Sequence, residues 1–101
     1  MSDNASKACR LWQEIFPAVD MAGVAEIVAA ECVDHAARPG EPQGIEGVRS
    51  TMRLLDSAFS SQRFDVQRTV EQGDTVVVHL VHHGIHTGEM MGLAPTNREF
   101  A

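Results

Sequence analysis

The chain has 101 residues, 44% of them hydrophobic, with two cysteines and a formal charge of −6. That length fits one domain with a single modest core, and the composition excludes a disordered chain. The acidic balance excludes phosphate-neutralising nucleic-acid binding, and no apolar run approaches the roughly 20 residues of a membrane helix, so neither nucleic acid nor a bilayer is an expected partner.

The opening M-S-D-N-A-S-K-A-C-R has no apolar signal-peptide core, which predicts a cytoplasmic protein. Residues 6–16 carry an amphipathic helix pattern, with Ala8, Leu11, Trp12, Ile15 and Phe16 at three-and-four spacing. Ser2, Asp3 and Ser6 are candidate N-caps. Pro17 is expected to end the helix, because a residue before proline is pushed out of the helical region. Asp20 can cap a second, shorter helix whose inner face is Met21, Val24, Ile27 and Val28. Residues 31–35 read as a brief extended segment, and the prolines and glycines of A-A-R-P-G-E-P-Q-G mark a loop. Cys9 and Cys32 form no C-x-x-C pair and are expected as reduced thiols.

A third helix is predicted over 45–59, where Ile45, Val48, Met52, Leu55 and Phe59 hold helical spacing and Ser60-Ser61 close it. Alternation over 63–70 predicts a half-buried strand with Phe64, Val66 and Val70 on one side and Arg63, Asp65, Gln67 and Thr69 on the other. Arg68 lies on the apolar side of that pattern. E-Q-G-D makes a hairpin turn into the stretch that organises the chain, residues 73–96. Val76, Val78 and Leu80 point one way from it; Val77 and Val81 point the other, with His79 between them. A strand apolar on both faces is expected to be covered on both, by helices on one side and an apolar pocket on the other. Residues 92–97 form a second turn, and 98–101 begin another strand. Helices segregated to one side of an antiparallel meander give an α+β fold.

The segments V-D-H at 33–35, G-I-E-G-V-R at 44–49, E-Q-G-D-T-V-V-V and G-I-H-T-G-E-M-M-G-L-A-P-T, in that order, resemble the SnoaL-like polyketide cyclase (ester cyclase) family. The resemblance covers essentially the whole chain, and the G-x-H-x-G-E block is its most specific part. It implies a cone-shaped, curved antiparallel sheet with three N-terminal helices. This is the nuclear-transport-factor-like (cystatin-like) α+β barrel, shared with ketosteroid isomerase and scytalone dehydratase. Asn97 stands where the family pattern P-T-G has its glycine. The family pattern also continues through further strands, one of which carries an aspartate acid/base with no matching position here. The expectation is a chain truncated relative to the family, or a sheet completed by a second subunit in a homodimer or higher homo-oligomer.

His35 and His86 match family positions that resemble cavity-lining histidines, which makes them the candidate catalytic groups. An imidazole exchanges a proton near neutral pH, although a buried histidine satisfied by a neighbour accounts for each equally well. His82 shares a strand face with His86 unless Gly84 introduces a bulge, while His79 and His83 have the opposite parity. No metal is expected: at roughly 3.3 Å per residue, His82 and His86 on a strand stand about 13 Å apart, too far to share an ion. Trp12, Phe16, Met52, Leu55, Met90 and Met91 supply apolar bulk suited to a flat ligand. Core packing is the competing role for all but Trp12, Met90 and Met91, which the resemblance places near the pocket mouth. Arg68 can anchor an anionic or enol oxygen, or reach to water. Glu89 can orient His86 or sit on the rim. The resemblance implies cofactor-independent intramolecular aldol cyclisation of an aromatic polyketide or another flat, hydrophobic carbonyl compound. The alternatives are a non-catalytic binding or dimerisation module of the same fold, or an isomerase, dehydratase or epoxide hydrolase.

Overall fold

The computed structural model describes residues 3–101, so Ser2 as a candidate cap lies outside the described residues. The first helical stretch starts at Asp3, earlier than the apolar pattern indicates, and Ser6 is an interior residue rather than a cap. It comprises α1 (Asp3–Arg10), a π-helical turn (Leu11–Ile15) and α2 (Phe16–Ala18). Asp3 pairs with Lys7 at 3.2 Å and brings negative charge to the helix N-terminus, where the backbone dipole favours it. In the π turn the Phe16 N–H donates to the Leu11 carbonyl, five residues back. This wide turn directly precedes Pro17, whose ring would otherwise collide with a carbonyl of the preceding turn. The helix therefore passes the proline and ends after Ala18, where Val19 takes the left-handed conformation at φ 52°.

α3 (Val24–Ile27) is a single turn with Val24 fully buried, and Asp20 accepts the Gly23 N–H at 3.0 Å just ahead of it. The expected extended segment at 31–35 is not a strand. Its backbone is tied across the loop instead: the Gly44 N–H donates to the Cys32 carbonyl at 3.0 Å, and the Asp34 N–H to the Gln43 side-chain oxygen at 2.6 Å. The Gln43 amide returns a bond to the Asp34 carbonyl at 3.2 Å, so a side chain takes the place of a sheet neighbour.

α4 (Gly44–Ala58) is the predicted third helix with a different end. Phe59, at φ −130° and ψ 144°, is already extended and begins β1 (Phe59–Gln72), so Ser60 and Ser61 belong to a strand. β1 pairs antiparallel with β2 (Thr75–His86), and β2 pairs antiparallel with β3 (Glu99–Phe100), leaving β2 central. Helices followed by an antiparallel sheet make the chain α+β.

Two irregularities in β1 decide which side chains meet the helices. One lies between Ser60 and Arg63, where Ser61 has φ 53°; the other lies between Val66 and Arg68. A bulge turns the following residues onto the opposite face. Arg68 therefore pairs with His79 and Val70 with Val77, on the face away from Phe64. Arg68 is exposed there rather than lying on the apolar side, and Val70 is 53% exposed. Along β2 the alternation is as expected, with Val76, Val78 and Leu80 turned inward. The two-sided covering is not: Val77 is 57% exposed, because all the helices pack on the other face. On that face Ile15, Phe16, Val24, Met52 and Phe64 form the core.

Candidate functional site

After His86 the chain leaves β2, turns, and comes back alongside it as β3. The Asn97 N–H donates to the His86 carbonyl at 2.8 Å and the His86 N–H to the Arg98 carbonyl at 3.0 Å. The Thr87 and Gly88 N–H groups both donate to the Ala58 carbonyl, at 3.1 and 2.9 Å, which pins the start of this turn to the junction of α4 and β1. Gly84 makes room for β3: a Cβ there would stand 2.9 Å from Cζ of Phe100. The Phe100 ring accordingly lies on the face of His82 and Phe59, at centroid distances of 5.1 and 4.8 Å.

Between the returning segment and Phe59 lies a cleft of about 370 Å³, lined by Phe59, His86, Met90, Leu93, Thr96, Arg98, Glu99 and Phe100. Its size and mainly apolar walls are those of a small-molecule site. His86 is 7% exposed. Its Nδ1 lies 3.1 Å from Thr96 Oγ1 and accepts the Thr96 backbone N–H at 3.3 Å. Its Nε2 is buried without a hydrogen-bond partner among the described residues. Leaving such a group unpaired costs about 1–3 kcal/mol, which a ligand that pairs with it recovers.

His82 shares this face. Both imidazoles stand beside Phe59, at 5.6 and 5.8 Å, because the bulge sits opposite Gly84 in β1 and leaves the parity of β2 intact. His82 is stacked on Phe64 at 4.2 Å and 4°, and its Nε2 bonds the Gln62 side-chain oxygen at 2.9 Å. Burial, helped by the neighbouring charge of His83, pushes its pKa below the ordinary 6.5. The unfolded chain therefore takes up the proton at higher pH than the folded one, and stability falls on acidification through the window below about 6.5. Urea midpoints measured at pH 5.5 and 7.5 are expected to show this loss, and His82→Phe is expected to shrink it. An equal pH dependence in the variant would assign the loss to other groups.

The opposite face of the sheet carries a second, more polar cavity of about 390 Å³, bordered by Ser61, Arg63, His83, Ile85 and Glu99. Asp65 stands beside it, with Arg63 Nε at 2.9 Å and His83 Nε2 at 3.0 Å. The Arg63 hydrogen bond, with a smaller contribution from His83, holds the Asp65 carboxyl below its usual 3.8. A third hollow of about 300 Å³ lies between the 34–41 loop and α4 and is bordered by Leu55, Met90 and Met91, so Met90 is a wall common to it and the His86 cleft.

The structure thus brings together His86 and Met90 from the predicted set, with His82 adjacent. His35 is exposed in its loop and borders none of the three cavities. Phe16 and Met52 are core residues, at 5% and 2% exposure. Trp12 packs against Phe16 and Phe64 at 4.6 and 5.4 Å rather than at a cleft mouth. Met91 is 68% exposed. Arg68 stands on the far face, and Glu89 is exposed and borders no described cavity. Phe59, Leu93, Thr96, Arg98 and Phe100 were not anticipated as lining residues, and only the A-P-T end of the long motif pointed near them.

The family model for SnoaL-like polyketide cyclase matches residues 6–101. Among solved structures, the chain is similar to IdmH, a candidate polyketide cyclase from Streptomyces antibioticus. The TM-score is 0.77 at 28% identity, over 98% of this chain and 76% of that one. It is also similar in fold to TsrD from Streptomyces laurentii, with a TM-score of 0.85 at 20% identity, over 99% of this chain and 74% of that one. No curated protein matches. A family match running from the first helix to β3 agrees with helices packed on one face of a sheet whose central strand delivers His86 to an apolar cleft, and the chain belongs to the SnoaL-like polyketide cyclase family.

Proposed function

We propose that the protein is a cyclase-type enzyme that closes a ring in a flat, apolar carbonyl compound by cofactor-independent acid/base chemistry. In such an aldol closure a base removes a proton beside one carbonyl, the enolate carbon attacks a second carbonyl of the same molecule, and the resulting alkoxide takes a proton. The observation that carries this reading is His86 Nε2, buried and unpartnered in a cleft with apolar walls. A polar group placed there acts on a reacting oxygen without competition from water, where its electrostatic effect is largest. Phe59, Met90, Leu93 and Phe100 would hold the substrate folded so that the reacting atoms meet. His35, outside the cleft, has no part in this scheme. The uncovered far face of the sheet, with Val70 and Val77 more than half exposed, supports a homo-oligomer as the working form.

The test is turnover of an aromatic 1,5-diketone able to close by intramolecular aldol addition. His86→Gln and His86→Phe are expected to lower kcat/KM by about 10²–10⁴-fold, the range for losing a positioned acid or base, while circular dichroism reports a folded chain. Light scattering on a size column, run on the same preparations, reports the assembly; a monomer with full turnover would remove the oligomer from the scheme. Affinity without turnover in the unmutated protein would replace the enzyme with a binding module of the same fold.

A further inference from the structure

We propose that Thr96 holds His86 as a fixed hydrogen-bond donor, so that the cleft selects flat ligands presenting an acceptor oxygen (a carbonyl, enolate or phenolate) to Nε2. Two contacts converge on Nδ1. The Thr96 backbone N–H at 3.3 Å can only donate, so Nδ1 accepts. A neutral imidazole has one ring proton, which this places on Nε2. Thr96 Oγ1 reinforces the assignment: it receives the Arg98 N–H at 3.4 Å and turns its own hydrogen toward Nδ1 at 3.1 Å.

The clamp has little freedom. Asn97, next to Thr96, takes φ 56° and donates its N–H to the His86 carbonyl at 2.8 Å, while the His86 N–H is taken by the Arg98 carbonyl at 3.0 Å. Backbone bonds on both sides of Thr96 thus tie it to the residue whose ring it contacts, and Phe59 flanks that ring at 5.8 Å.

The other polar side chains point the same way. β3 pairs Phe100 with Gly84 and Glu99 with Ile85, so alternation turns Phe100 and Arg98 toward the face of His86. Glu99 borders both cavities, and the same alternation directs its carboxylate toward the polar one on the opposite face. A guanidinium has donors and no acceptor, and Arg98 has no carboxylate within 4.0 Å among the described residues. With Thr96 Oγ1 engaged, the side chains facing the cleft offer N–H groups from apolar walls. The complement is an oxygen acceptor on a flat carbon skeleton. In the proposed cyclisation this makes His86 the group that polarises the carbonyl and stabilises the oxyanion, not the base that removes the carbon-bound proton. The ligand class rests on the reading of the cleft as a ligand site. The tautomer does not, since it is a property of the free protein.

Long-range proton–nitrogen correlation NMR on ¹⁵N-labelled protein reads the tautomer directly. Expected are an Nε2–H form in the unmutated chain and in Thr96→Val, which keeps the backbone N–H, and a mixture in Thr96→Pro, which loses both contacts to Nδ1. A purely structural role for Thr96 would alter stability without moving the tautomer. The ligand class is read by titrating 1-tetralone against tetralin, which lacks the oxygen: about a tenfold preference for the ketone is expected, falling to parity in His86→Phe. An Nδ1–H form in the unmutated chain, an unchanged tautomer in Thr96→Pro, or tetralin binding as well as the ketone would each overturn the proposal. A failed cyclisation assay alongside an Nε2–H tautomer and ketone preference would count against the enzyme and leave this inference standing.

Discussion

Phe64→Ala is expected to lower the free energy of unfolding by about 3–5 kcal/mol, the cost of removing a buried aromatic ring and leaving its cavity. Phe64 is 4% exposed and is the β1 ring through which the sheet meets the first helical stretch. It stands 5.4 Å from Trp12, meets Phe16 edge-on at 5.8 Å and 83°, and stacks on His82 at 4.2 Å. None of these partners can close the gap alone, because each is held by its own backbone element. Since a domain of this size has a total stability of about 5–15 kcal/mol, the loss is about a fifth of it or more. Urea unfolding with unchanged slope measures it. Val70→Ala is the control: Val70 lies beyond the second bulge on the far face, 53% exposed, and should cost within about 0.5 kcal/mol. Similar losses in the two variants would mean that the bulge does not exchange the faces as described.

Gly88→Ala is the second. A Cβ at this position would stand 1.9 Å from the Ser57 carbonyl oxygen and 3.2 Å from the Ala58 Cα. The colliding atoms are backbone at the end of α4, and they cannot swing aside as a side-chain tip would. The turn must therefore lift away, losing the Thr87 and Gly88 hydrogen bonds to the Ala58 carbonyl. Overpacking of this kind costs about 1–3 kcal/mol, and the lost hydrogen bonds add to it. Its consequence for the site is larger than for the fold, since Met90, Leu93 and Thr96 follow directly along the displaced chain and form one side of the cleft. The expected result is a lower melting temperature, loss of amide-exchange protection at Thr87 and residue 88, and loss of ketone binding. Gly84→Ala should be milder, because its nearest obstacle is the tip of the Phe100 ring. Unaltered exchange at both amides in Gly88→Ala would contradict the close approach.

These two glycines explain the most specific block of the sequence resemblance. In G-I-H-T-G-E, the first glycine lies under the Phe100 ring and the second lies against α4, with His86 held between them. The block was legible as a motif, and its physical reason became visible only when β3 and the end of α4 stood on either side of it.

Local pattern determined the class of fold. Three-and-four spacing located the helices, and alternation of Val76, Val78 and Leu80 with Val77 and His79 located the central strand and its two faces. Those signals are reliable because burial repeats with the period of the backbone itself. The pattern did not say what the buried faces pack against, so core and pocket competed for Phe16 and Met52, and the resemblance placed Trp12 near the pocket mouth; Phe16 and Met52 are in the core and Trp12 packs against it. It did not show the β1 bulge that carried Arg68 to the far face, because one inserted residue leaves the composition of a strand unchanged. Nor did it show the cleft. Thr96 is ten residues from His86 and touches it only because the chain reverses and comes back beside β2, and Phe59 and Phe100 join them from strands on either side. Sequence alone determined which residues are apolar enough to leave water, since hydrophobicity is carried by each side chain, but not which of them do: Val70 and Val77 stay more than half exposed. Tertiary structure decided which of them surround His86, since that depends on chain reversals whose partners no local period encodes.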